Sequence, residues 1–321
     1  MTLPPSDSRA EPALILVGPL RAGTTLLRLL MANHPKIAAI GEFEESVSQV
    51  NDSGWPDIPR YRAWLAQNRG AQMKQYGDLP WDQPYPQIVR AMWSDLASRE
   101  SKPFVTCTIH SRFDRVREIW PNVKFVFLVR DPRDVARSCM GMGWVGEVTH
   151  GAPYWTEPAR RWLELRETLG RSEYVEVRYE DLLQEPDEQL DRCCQLLGER
   201  FDPQMLSFHE RSTYEPLNPS LSEQWRRNMT LREADLIEQA CDELLECFRY
   251  ERSCPSPQRA GMVETLQRRV RNRLGRFRWR CRRYGIGLTL AWAVVKRFPT
   301  GSSLRIATKR YLNENDQRNL K

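Results

Sequence analysis

The chain has 321 residues, 40% apolar and 28% charged, the balance of a water-compatible domain with enough chain to bury a sizeable core. Its net charge of +6 is unevenly placed: residues 255–321 hold 17 Lys and Arg against 3 Asp and Glu, and the remainder holds 31 against 39. No apolar run reaches the roughly 20 residues of a membrane span. The eight cysteines show neither CxxC nor metal-ligand spacing, and the N-terminus lacks the layout of a signal peptide. A disulfide framework, a zinc site and signal-directed export are therefore disfavoured, and a cytoplasmic chain with reduced thiols is expected.

Residues 1–12 are expected to be disordered. Leu14 to Val17 is an apolar run of strand length, residues 18–25 form a loop of small residues, and Leu26 to Met31 opens a buried helix stopped by Asn33, His34 and Pro35. Such a unit cradles an anion, because the first N–H groups of a helix have no intrahelical partner and its dipole favours negative charge. Gly23 permits close approach, Thr24 and Thr25 add hydroxyls, and Arg21 adds fixed charge. Residues 51–86, rich in Trp, Pro and Tyr, predict irregular structure with one helix over 60–68. A helix follows over 88–99 and a strand over 104–109. Residues 123–129 are almost continuously apolar, as in a strand buried on both faces of a parallel sheet. Asp131 and Pro132 then open a helix. Further helices are expected over 155–169, 180–183 and 188–197, with a strand over 174–177. Thr230 to Glu233 has capping-box spacing and opens a helix to about Cys247. Residues 300–321 are expected to be poorly ordered. The alternation predicts an α/β fold, a P-loop-like parallel sheet with helices on both faces, spanning 13–254, followed by a basic, partly helical extension over 255–321.

The first loop admits two nucleotide readings. In GxxxxGK[ST], Gly18 and Gly23 have the right spacing, but Thr24 stands where the lysine belongs. A P-loop-like kinase is thus the weaker alternative. The same residues resemble the 5′-phosphosulfate loop of sulfotransferases that use 3′-phosphoadenosine 5′-phosphosulfate (PAPS): Gly18, Arg21, Ala22, Gly23, Thr24, Thr25 and Leu26 fill that pattern, with Ala22 in place of the commoner serine. Arg130, at the end of a strand, and Ser138, eight residues on, reproduce the pair that holds the 3′-phosphate in that family. The segments 178–182 and 223–227 resemble two further family segments, and the second implies that Arg226 reaches the 3′-phosphate.

The resemblance covers about residues 13–250 and is greatest to bacterial enzymes related to the tyrosylprotein type. It implies PAPS as co-substrate, no metal, and transfer of a sulfuryl group to a hydroxyl or amine acceptor of unspecified class. It also implies Arg21 stabilising the leaving phosphate and Glu42 as base, with Glu44, Glu45 and His110 as alternatives. For His110, sulfonate binding is a further reading, and a hydrogen-bonded structural histidine is the plainer one. Residues 262–298, with ten arginines, nine of them over 268–283 interleaved with Leu, Phe and Trp, suit peripheral contact with a membrane surface. A solvated extension is the plainer reading, and nucleic-acid binding lacks a recognised module. A catalytically inactive binding protein is the non-enzyme alternative.

Overall fold

A computed structural model of the chain describes residues 11–254, 256–298 and 302–318. The disorder expected of residues 1–12 falls mainly on 1–10, which lie outside the described residues. The first half runs β1 (Leu14–Val17), α1 (Thr24–Ala32), β2 (Ile37–Glu42), α2 (Ile58–Leu65), α3 (Arg69–Lys74), α4 (Tyr85–Ser98), β3 (Phe104–Ile109) and β4 (Lys124–Val129). The second half runs α5 (Pro132–Gly141), α6 (Pro153–Arg166), β5 (Tyr174–Arg178), α7 (Tyr179–Gln184), α8 (Pro186–Gln195), α9 (Trp225–Asn228), α10 (Leu231–Cys241) and α11 (Leu244–Cys247). The basic extension adds α12 (Met262–Tyr284), α13 (Ile286–Val295) and α14 (Ser303–Arg318).

The five strands form one parallel sheet in the order β2-β3-β1-β4-β5. β1 is fully buried because it is central and covered on both faces. Ile15 and Val17 point into a core with Phe43, Trp93, Phe125, Phe127 and Trp162. Leu14 and Leu16 point into a second core with Leu27, Leu30, Val126, Leu128 and Val177. That alternation is the two-residue period of a strand, and it explains why β1, and β4 after Lys124, are apolar without a break.

Several expectations are corrected. α1 starts at Thr24, so both threonines belong to its first turn. β2 was absent from the sequence reading; its Ile-Ala-Ala-Ile-Gly-Glu sequence lacks a branched apolar run because it is an edge strand. The helix expected over 60–68 is α2, which ends at Leu65, and a second helix not expected there, α3, follows it, capped by the Asn68 side chain accepting from Ala71 N. The helix expected to reach Cys247 breaks at Asp242, whose φ is +46°. Residues 303–318, expected to be poorly ordered, are helical. Among the described residues, no helix is long and apolar enough to cross a membrane.

α12 is seated against the segment that follows α5. Its Gly275 lies so close to Gly146 that a Cβ there would stand 2.2 Å from the Gly146 carbonyl oxygen. Gly146 N–H donates to Asn272 Oδ1 at 2.6 Å, and Trp279 Nε1 donates to the Gly141 carbonyl at 2.9 Å. Arg268 reaches Glu147 at 2.6 Å, and Glu264 bridges Arg232 and Arg268. The hydrogen bonds from Arg232 and then Arg268 hold the Glu264 carboxyl at about 2. A depressed carboxyl stabilises the folded form above its unfolded value of about 4.3, and the contribution fades as pH falls from there through about 2. The protection factors of amides across 262–284, taken against the exchange rate of the unfolded chain at each pH, are therefore expected to fall over that acid window. Gly275→Leu should lower the same protection factors at neutral pH while β1 stays protected; unchanged protection in α12 would contradict this seating.

Candidate active site

A cavity of about 1110 Å³ opens at the C-terminal ends of β1, β3 and β4, the edge at which parallel α/β sheets present ligand sites. Its floor is the turn from β1 to α1. Gly18 is required there, because a Cβ would meet the Leu128 carbonyl oxygen of β4 at 2.2 Å. Gly23 has φ +103° and lies against the Tyr179 ring, where a Cβ would stand 2.5 Å from a ring carbon. Gly23 also sits at the N-cap of α1 and supplies no side-chain oxygen to the first-turn N–H groups. Arg21 takes a left-handed φ of +71°, a conformation unusual for a side-chain-bearing residue.

The sheet order brings distant residues to this turn. Val17 pairs with Ile109, so the next residues, Gly18 and His110, are neighbours. His110 Nδ1 lies 3.0 Å from the Gly18 carbonyl. A carbonyl only accepts, so Nδ1 carries a proton, and in the neutral ring Nε2 presents its lone pair. Nε2 faces Thr24 Oγ1 at 3.5 Å and Glu42 Oε1 at 3.9 Å. Glu42 reaches this point through a bulge. Between Ala39–Thr106 and Glu42–Thr108, β2 carries one residue more than β3, with Gly41 at φ +89°. The Glu42 side chain is 61% exposed on the cavity, whereas His110 is buried.

The other two carboxylates are engaged elsewhere. Glu44 accepts from His110 N–H, from Ser111 N at 3.3 Å and from Ser111 Oγ at 2.5 Å, fixing the turn after β3. Glu45 is buried, pairs with Lys74 at 2.7 Å and accepts from the Tyr76 hydroxyl.

The second cationic element enters from β4. Arg130 follows its last residue and packs over the Tyr179 ring, 4.5 Å from the centroid. One of its terminal nitrogens donates to the Leu221 carbonyl at 3.1 Å, and the same nitrogen lies 3.7 Å from Asp134. Its Nε is buried without a hydrogen-bond partner among the described residues. Burial pushes the Asp134 carboxyl above the usual carboxylate range, against the opposing pull of Arg130. Ser138, two turns into α5, accepts from Arg21 Nε at 2.9 Å. Residues 117 positions apart therefore join the two phosphate-type elements in one wall.

Of the residues singled out in the sequence, Arg21, Gly23, Thr24, Thr25, Leu26, Glu42, His110, Arg130 and Ser138 line the cavity. Ala22 is fully buried behind the loop. Arg226 is not among the lining residues; it pairs with Glu223 at 2.9 Å and lies over Trp225, half exposed. The sequence reading missed Arg69, Met142, Trp144 and the strap from Thr213 to Asn218 that completes the cavity. Irregular segments carry no periodic signal to find. Tyr179, in the 178–182 segment, also lines the cavity; its ring forms wall between Gly23 and Arg130.

A model of the sulfotransferase family matches residues 12–203, and the chain belongs to that family. A Caenorhabditis briggsae protein described as a candidate protein-tyrosine sulfotransferase is 25% identical over 214 residues, covering 63% of this chain and 71% of that one. The omega-hydroxy-beta-dihydromenaquinone-9 sulfotransferase Stf3 of Mycobacterium tuberculosis is 23% identical over 219 residues, covering 60% of this chain and 54% of its own length. The sulfotransferase domain of the Synechococcus PCC 7002 olefin synthase shares the fold, with a TM-score of 0.58 at 20% identity over 78% of this chain and 98% of that domain.

The carboxylates separate by stability. Glu44→Gln is expected to cost about 1–3 kcal/mol, since it weakens the acceptor for the turn after β3. Glu42→Gln, on the exposed side of the cavity, should stay within about 0.5 kcal/mol of the parent. Urea unfolding of both variants measures this, and a reversed order would refute the assignment.

Proposed function

We propose that the protein transfers a sulfuryl group from PAPS to a hydroxyl or amine acceptor by in-line displacement. The observation that carries this reading is the convergence of the α1 loop with Arg130 and Ser138 in one cavity, tied by the Arg21–Ser138 hydrogen bond. A donor with phosphates at its 5′ and 3′ positions needs two such elements. The arginines suit them, because a guanidinium offers a planar fork of donors that stays charged.

In this reading the acceptor oxygen attacks sulfur, the bond from sulfur to the 5′-phosphate oxygen breaks, and adenosine 3′,5′-bisphosphate leaves. Charge grows on the departing phosphate, where Arg21, the first N–H groups of α1 and the Thr24 and Thr25 hydroxyls face it. Arg130 and Ser138 hold the 3′-phosphate. The acceptor proton passes to Glu42. His110 Nε2 lies 3.9 Å from that carboxylate, held through Nδ1 by the Gly18 carbonyl behind it, and lines the same point of the cavity, where the acceptor hydroxyl has one proton to give and gives it to Glu42. His110 as the base itself is the second reading, favoured by its burial and its lone pair on the cavity.

Glu42→Gln is expected to lower turnover by about 10²–10⁴-fold with nucleotide affinity nearly unchanged. Near-normal turnover would move the base to His110. Arg130→Ala should weaken adenosine 3′,5′-bisphosphate by about 10–100-fold and adenosine 5′-phosphosulfate far less; equal losses would refute the 3′-phosphate assignment. Ser138→Ala is a less clean probe, since it also releases Arg21. In isothermal titration the protein should prefer adenosine 3′,5′-bisphosphate to ATP with magnesium, and the opposite preference would overturn the proposal in favour of a kinase.

A further inference from the structure

The sulfuryl-transfer chemistry makes no use of α12, yet this 23-residue helix carries nine arginines against a single acidic residue, Glu264. Its faces are sharply divided. Residues along a helix advance by about 100° each. Arg268, Asn272, Gly275 and Trp279 share the face seated on residues 141–147. Leu266, Val270, Leu274 and Phe277 fall on the opposite side, between 44% and 62% exposed. Arg269, Arg273 and Arg276 flank that apolar stripe on one side, and Arg271 and Arg278 on the other. All five are exposed, and among the described residues none is ion-paired. After the bend at Gly285, α13 continues with Ile286, Leu290 and Val294, one turn apart and each more than half exposed.

We infer that α12 is a docking face for an anionic lipid bilayer, lying in the plane of its surface. The apolar stripe enters the acyl boundary, and the two arginine rows reach out to the headgroup phosphates. Charge selects this occupant. A second copy of the same helix would set arginine rows against arginine rows, whereas an anionic surface neutralises both flanks at once. Seating is compatible with docking, because the hydrogen bonds to the body use the other side of the helix, while Arg271, Leu274 and Arg278 border a groove shared with Met140, Glu147 and Glu233 and leave Leu266, Val270 and Phe277 open. The Trp279 indole packs against Gly143, between the cavity residues Met142 and Trp144, so the docked helix braces the cavity rim. The bilayer surface then lies about one helix diameter, 10–12 Å, from that rim.

The test is co-sedimentation of the full-length protein with sucrose-loaded vesicles, without nucleotide, so it is independent of the sulfuryl-transfer reading. Equimolar phosphatidylcholine and phosphatidylglycerol vesicles should pellet the protein, and pure phosphatidylcholine should bind it at least tenfold more weakly. The double variant Leu266→Glu, Phe277→Glu changes two exposed side chains and should lose binding at least tenfold. Its circular dichroism and affinity for adenosine 3′,5′-bisphosphate should match the parent. Arg269→Glu with Arg276→Glu should do the same. Parent protein left in the supernatant, or variants that bind as the parent does, would overturn the inference. So would a dimer by light scattering that Leu266→Glu dissociates, since a second copy would then cover the face.

Discussion

The close approach of β1 to β4 at Gly18 is the constraint on which the site depends. The Leu128 carbonyl occupies the space a side chain would need, so the chain can turn there only as glycine. That turn sets where α1 begins and where its unpaired N–H groups point. It also aims the Gly18 carbonyl at His110, which fixes the tautomer and the direction of Nε2. One backbone contact in the middle of the sheet thus positions the anion loop and the imidazole together.

Around that point, polar groups divide into those that hold the frame and those that face the cavity. Asp131 caps α5 by accepting from Arg133 N, and Arg133 pairs with both Asp131 and Glu238, all of them buried. Glu180 is buried as well, receiving the Asp131 N–H and the Tyr250 hydroxyl. These pairs satisfy one another, so their charges are spent inside the protein. Arg130 and Glu42 are different. Arg130 keeps a buried Nε without a hydrogen-bond partner among the described residues, and Glu42 stays exposed beside the His110 imidazole. Both line the cavity, so their remaining capacity faces the space a ligand would fill.

Legibility in the sequence followed how local each signal was. The β1 loop and the Asp131–Pro132 helix start were readable because each depends on a few adjacent residues. β2 was not readable, because an edge strand gains its stability from pairing with β3 and needs no apolar run of its own. Its bulge at Gly41, which turns Glu42 toward the cavity, is a matter of register between two strands. The break at Asp242 was missed for a related reason: it lets Cys241 on one side and Leu244 and Leu245 on the other reach the core, which local propensity does not encode. The choice among Glu42, Glu44 and Glu45 lay beyond the sequence, since all three sit within four residues and only their partners distinguish them.

The amino-acid sequence by itself determined the α/β class, the anion cradle after the first strand, the arginine and serine of a second phosphate element, and the concentration of positive charge in the last segment. These are properties of short stretches, set by backbone freedom, donor chemistry and periodicity. Only the tertiary structure decided that Arg21 meets Ser138, that His110 and Glu42 face each other, that Arg226 turns away, and that α12 rests one face on residues 141–147 while leaving the other apolar and open. The first two depend on strand order. Placing β3 and β4 on either side of β1 brings together residues separated by as many as 117 positions, and no local pattern encodes a neighbour that far away.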